Sequence, residues 1–209
     1  MLTIHSNAND KIWFISDLHL GHDKPFILNP RGYANINEAY DKTFDALKVI
    51  GPNDIVFNLG DAVVGAGINS IELARRLINI PCKTHYFIWG NHNSGLNRIY
   101  EEERNKQYFA DDVEIYPITP IGTNFMFVGN YLEVNIDGIY VTLSHFPIAS
   151  WNHISKGGYM IHGHCHRNLK DDLTLKRLDI GWDWKTRPIE WEEIKTELQN
   201  RKTRSVDHH

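Results

Sequence analysis

The chain has 209 residues, 42% hydrophobic and 23% charged, with a formal charge of −4. That length suits one well-buried domain and is short for two, and the acidic balance offers no bulk attraction to a polyanion such as nucleic acid. Two cysteines, Cys82 and Cys165, exclude a disulfide-held scaffold and fit reduced thiols in the cytoplasm, and the absence of a leader or a long apolar run argues against secretion and membrane insertion.

In chain order, Lys11 to Ser16 predicts a buried strand that ends in Asp-Leu-His-Leu-Gly-His. A loop with Pro25, Pro30 and Gly32 follows. Glu38 to Ile50 has helical spacing at Ala39, Phe44, Leu47 and Ile50, and Gly51-Pro52 stops it. Asp54 to Leu59 predicts a second strand, closed by Gly60-Asp61. Ser70 to Ile80 predicts an amphipathic helix with Pro81 beyond it. Thr84 to Trp89 predicts a third strand, closed by Gly90-Asn91-His92, and Leu96 to Phe109 a charged helix. The pattern then turns strand-rich: Phe125 to Val128, Tyr131 to Ile136, Ile139 to Ser144, Tyr159 to Gly163 and Leu173 to Ile180. Asp137-Gly138 is a hairpin turn signal. Trp191 to Arg201 predicts a terminal helix, and Val206 to His209 reads as a cloning scar and tag. Residues 1–204 are therefore expected to form a single mixed α/β domain, with 205–209 a tag remnant.

Histidine is the compositional outlier, at 12 residues. Asp17 and His19 stand two apart after a strand, where side chains leave on one side and can chelate one ion. Asp61 follows Gly60, Asn91-His92 follows Gly90, His145 ends the strand YVTLS, and His164 and His166 are again two apart. In α/β sheets ligands bind beyond the carboxyl ends of strands. Carboxylate, amide and imidazole donors suit Mn²⁺, Fe²⁺ or Zn²⁺ better than a thiolate-rich zinc site. Seven donors are too many for one tetrahedral ion and suit two ions that share a carboxylate.

The stretches SDLHLGH, NLGD, GNHN, LSHFPI and IHGHCH, between about Ile12 and Ile194, resemble the calcineurin-like metallophosphoesterases, in particular a small single-domain bacterial and phage branch. The resemblance implies a four-layer αββα sandwich of two mixed β-sheets flanked by helices. It implies that Asp17, His19 and His166 hold one divalent ion, that Asn91, His145 and His164 hold the other, and that Asp61 bridges them. Mn²⁺ is the expected metal, with Fe²⁺, Zn²⁺ and Ni²⁺ as alternatives. His92 would be the catalytic acid. Val64 and Asn93 stand where the family often has charged residues; Asn93 is expected to orient His92 less strongly than a carboxylate would.

The expected activity is hydrolysis of a small phosphorylated or nucleotide substrate, as a phosphodiesterase or phosphomonoesterase. A nuclease, which would need a basic track, and a catalytically silent interaction scaffold are the alternatives. His22, Arg31, His153 and Arg167 are the candidate substrate contacts. Cys165, between two ligands, is read as packing, and His5, His85 and His162 as structural. Asp183 is read as a loop or cap carboxylate in preference to a support for the site, and Trp182, Trp184 and Trp191 as packing.

Overall fold

The computed structural model describes the chain apart from residues 8, 66, 108–118, 122–123, 171 and 204–209. The tag remnant and the far end of the charged helix at Phe109 thus lie outside the described residues. Eleven strands are described: β1 (Leu2–Ile4), β2 (Ile12–Ile15), β3 (Ile55–Asn58), β4 (Thr84–Phe87), β5 (Thr119–Ile121), β6 (Phe125–Phe127), β7 (Tyr131–Ile136), β8 (Ile139–Ser144), β9 (Tyr159–His162), β10 (Arg177–Asp179) and β11 (Ile189–Glu190). One sheet has the order β11-β2-β3-β4-β6-β5; its inner strands are parallel and both edges antiparallel. The other has the order β1-β7-β8-β9-β10, with only the β7–β8 hairpin antiparallel.

The core follows from alternation along the inner strands. Ile12 and Phe14 of β2 point between the sheets, to Phe57, Leu59, Val141, Leu143 and Ile161. Trp13 and Ile15 point the other way, into a cluster with Leu47, Leu73, Leu77 and Leu96. An inner strand is buried on both faces and so reads as an unbroken apolar run. That second cluster lies under α2 (Ile36–Leu47), α3 (Ile68–Ile78) and α4 (Ser94–Gln107). Ile71, Ala74, Leu77 and Ile78 give α3 its buried stripe. Asn35 caps α2 by accepting from the Glu38 amide at 3.0 Å, which satisfies one otherwise orphaned donor. Each fully buried Leu or Phe contributes about 1.5–3 kcal/mol.

The chain thus forms two mixed sheets flanked by helices, as the sequence leads one to expect. The layer outside the five-stranded sheet is thin. There Trp151, Ile154, Met160 and Leu175 pack together around the 3₁₀ turn Ile154–Lys156, while α5 (Trp191–Leu198) sends Trp191, Ile194 and Leu198 into the inter-sheet core. Strands β1, β5 and β11 and the short helix α1 (Pro25–Leu28) were not expected, because two to four residues are too few to show a period. The expected strand from Leu173 shrinks to β10, since Asp172 turns the chain by accepting from the Thr174 amide at 2.9 Å.

His85 of β4 is fully buried against Phe125, ring centroids 4.5 Å apart, and neither ring nitrogen has a hydrogen-bond partner among the described residues. Burial holds its pKa down to about 3, against 6.5 when unfolded. The unfolded chain therefore binds the extra proton first, and stability present above pH 6.5 is lost as pH falls toward 3. His85→Leu is expected to raise stability by about 1–2 kcal/mol at neutral pH and to flatten the loss on acidification. Urea unfolding at pH 7 and pH 5 measures both, and a variant as acid-sensitive as the wild type would refute it.

Candidate metal centre

Parallel register sets the site. Ile15 lies opposite Asn58, and Asn58 opposite Phe87, so β2, β3 and β4 end level. The loops beyond them carry Asp17–His19, Asp61 and Asn91-His92. From the other sheet, β8 and β9 deliver His145 and His164–His166. Hydrogen bonds lace the loops together: Asp17 N–H to Gly60 O and His19 N–H to Asp61 O, both 2.9 Å, His92 N–H to Asp61 Oδ1, 2.7 Å, and His164 N–H to Asp17 Oδ2, 2.9 Å.

Strand geometry does not aim these ligands, contrary to the sequence expectation. β2 stops at Ile15, and Asp17, His19, Asp61, His164 and His166 all have left-handed backbone, with φ of 57°, 50°, 50°, 69° and 47°. Such residues cluster at functional sites because only surrounding structure can hold them. Two glycines permit the close approach. Gly60 has φ +95°, and a Cβ there would stand 2.6 Å from Gly90 N. A Cβ at Gly163 would overlap Ser16 Oγ and Asp17 Oδ2.

Two donor groups result. Asp17, His19 and His166 each bring one donor atom within 4.8 Å of the others, and so do Asp61, His145 and His164. Asn91 joins the second, its Oδ1 3.1 Å from His145 Nε2. Asp61 faces both groups, with Oδ2 3.6 Å from His19 Nε2 and Oδ1 3.4 Å from His145 Nε2.

Proton positions test whether a cation fits. His145 Nδ1 lies 2.8 Å from Leu59 O, which can only accept, so the proton of the neutral ring is assigned to Nδ1. Its Nε2 lone pair then points at the oxygens Asn91 Oδ1 and Asp61 Oδ1, both acceptors. Acceptors facing acceptors repel unless a cation lies between them. His19 Nε2 is likewise buried without a hydrogen-bond partner. Spacings of 3.1–3.6 Å match donors around one ion with bonds of roughly 2.1 Å. The donors therefore fit divalent metal.

Burial pushes Asp17 up to about 6 and His19 down to about 3. Burial also works against ionised Asp61; without metal, a protonated His145 that donates to it and the His92 amide hold it down to about 2, and a cation at the site would take that proton's place. The hydrogen bond to Asp183 raises the pKa of His166.

The outer candidates divide. His22 joins the cluster: its Nδ1 is 3.1 Å from His19 Nδ1, and its ring is 6.1 Å from that of His92. His92 is exposed, with its centroid 5.5 Å from that of His19. Arg31 turns into the protein. It is buried and spends its donors on Asp183, Leu18 O and Asp17 O. His153 is not brought to the site; its ring stacks on Tyr140 at 3.7 Å. Arg167 is tied to Asp179 O and to its carboxylate, and lies over Trp184. Asn93 does not orient His92: it is buried and accepts from Ala62 N–H at 3.3 Å.

Asp183 is more than the loop or cap carboxylate expected, since its Oδ2 is 2.7 Å from His166 Nδ1. No spacing in the sequence signals this. Cys165 turns away from both groups toward His162 and Asp179. Backbone amides of Gly181 and Arg167 already occupy the two Asp179 oxygens, so that trio reads as a turn.

Residues 10–197 match the calcineurin-like phosphoesterase family. A Gene 66 protein of Mycobacterium phage D29 is 26% identical over 193 residues, 82% of this chain and 87% of the relative. An uncharacterized protein of Methanocaldococcus jannaschii is 26% identical over 176 residues, 82% of this chain and 80% of the relative. The crystal structure of a protein of unknown function from Aquifex aeolicus aligns with TM-score 0.61 at 20% identity, over 90% of this chain and 99% of that one, a likeness of fold.

Proposed function

Because the chain belongs to the calcineurin-like phosphoesterase family, whose members are metal-dependent phosphoester hydrolases, we propose that it hydrolyses a small phosphorylated or nucleotide substrate at a two-metal centre. The observation that carries this reading is Asp61, which turns one oxygen to each donor group. Asp17, His19 and His166 would hold one ion and Asn91, His145 and His164 the other, with Asp61 shared. Held there, two divalent ions, most readily Mn²⁺, would supply hydroxide near neutral pH and would neutralise charge on the phosphoryl group.

The side chains do the rest. Asp61 accepts the His92 amide and so fixes the loop that carries His92. The imidazole of His92 is exposed beside the donor groups and has no hydrogen-bond partner among the described residues, so it is free to give a proton to the leaving oxygen. His22, beside it, lines the mouth. A small substrate is favoured over nucleic acid because the buried Arg31 spends its guanidinium on the protein itself and the chain carries a formal charge of −4. A basic track for a phosphate backbone would need such groups free. A cytoplasmic setting goes with this reading: Cys82 and Cys165 are free thiols, and among the described residues no helix is long and apolar enough to cross a membrane.

Stripping the protein with a chelator is expected to abolish hydrolysis of bis-p-nitrophenyl phosphate and p-nitrophenyl phosphate, and Mn²⁺ to restore it. Activity that survives metal removal, or none with any divalent ion across these esters and a nucleotide panel, overturns the proposal.

A further inference from the structure

Arg31 and Asp183 lie 152 positions apart in the chain and meet under one half of the centre. The Arg31 side chain is 1% exposed and that of Asp183 9%. The guanidinium grips Asp183 with both arms, Nε to Oδ1 and Nη2 to Oδ2, each 3.0 Å. It also donates to Leu18 O at 2.9 Å and Asp17 O at 2.8 Å. Those carbonyls belong to the left-handed turn that presents Asp17 and His19. Asp183 Oδ2 in turn takes His166 Nδ1 at 2.7 Å, which assigns the proton to Nδ1 and leaves the Nε2 lone pair for metal.

We propose that Arg31 and Asp183 are a positioning pair that assembles one of the two metal positions, that of Asp17, His19 and His166, and leaves the other alone. The inference rests on the two-metal reading above. One guanidinium reaches all three ligands of that position: Asp17 through its own carbonyl, His19 through the carbonyl of Leu18 just before it, and His166 through Asp183. In the other group His145 is held by Leu59 O, and no bond of Arg31 or Asp183 goes directly to Asn91, His145 or His164; the one link is the His164 amide, which donates to Asp17 Oδ2 with its main chain and not its ring. A buried ion pair is weak evidence of added stability. Its bidentate fork is a strong device for fixing orientation.

The test uses the full chain, metal-stripped, titrated with Mn²⁺ and followed by the paramagnetic resonance of free and bound ion. The wild type is expected to take up two Mn²⁺ and to show the spin-coupled signal of a pair. Asp183→Asn keeps the shape and removes the charge; Arg31→Lys keeps the charge and removes the fork. Each is expected to weaken one Mn²⁺ affinity by about 10–100-fold while the other stays unchanged, and to recover coupled signal and kcat at high Mn²⁺. A purely structural role would move the melting temperature without splitting the affinities. Should Arg31→Lys fail to fold, Asp183→Asn decides alone. Two unchanged affinities, or an equal fall in both, overturn the pair's assignment while the two-metal reading stands. A wild type that binds fewer than two ions overturns that reading, and this assignment with it.

Discussion

Asp61→Ala is expected to lower Mn²⁺-dependent phosphoesterase activity by on the order of 10³-fold or more on every ester tested. Three functions end together. Oδ2 no longer faces His19 Nε2 at 3.6 Å, Oδ1 no longer faces His145 Nε2 at 3.4 Å, and the His92 amide loses its acceptor at 2.7 Å. Asp61→Asn separates shape from charge. The amide oxygen can still accept from His92 N–H, but the second carboxylate oxygen becomes a donor, which cannot bind a cation. Both variants should therefore lose activity and metal, while Asp61→Asn keeps the fold better. Metal content by mass spectrometry and turnover of bis-p-nitrophenyl phosphate are the measurements. Wild-type turnover in both variants would refute the shared-ligand role of Asp61.

His92→Ala is expected to behave differently. Metal content should stay at the wild-type level, because the His92 ring belongs to neither donor group. kcat should fall by about 10²–10⁴-fold on an ester with an alkyl leaving group, which departs as a basic alkoxide and needs a proton. On p-nitrophenyl esters the loss should be much smaller, since p-nitrophenolate leaves without one. The ratio of the two losses reads the proton-transfer role directly. Equal losses on both leaving groups would mean that His92 stabilises charge and does not deliver a proton.

The donor residues could be read in the sequence because each follows a strong apolar strand, and strand ends of parallel β2, β3 and β4 converge by register. The inner strands and the amphipathic helices were visible for the same reason: burial imposes a period. The outer residues were harder, because nearness to a ligand in sequence is not nearness in space. His153 follows His145 by eight positions. Yet the loop folds back along β8, and His153 ends on Tyr140. Arg31 could not be told from a solvated loop arginine, since its partners come from the far end of the chain. Asn93 was read through its neighbour His92, whereas the fold uses its amide oxygen for Ala62. Edge strands β1, β5 and β11 carried no pattern at all, being set by pairing to strands already formed.

The left-handed ligands bear on how long the protein lasts. Asp17, His19, Asp61, His164 and His166 each sit where a side chain costs about 1 kcal/mol. Together that is roughly 5 kcal/mol, comparable with the whole margin that keeps a typical domain folded. Glycine would relieve it at every position and would remove the donors. Metal held by these donors would offset it instead: an ion at a thousand times its Kd adds about 4 kcal/mol. A shift of 1–2 kcal/mol in this margin is enough to change abundance several-fold through proteolysis of the unfolded chain. Divalent-metal supply would then govern the number of molecules present as well as their turnover rate, and a metal-starved cell would lose the protein itself.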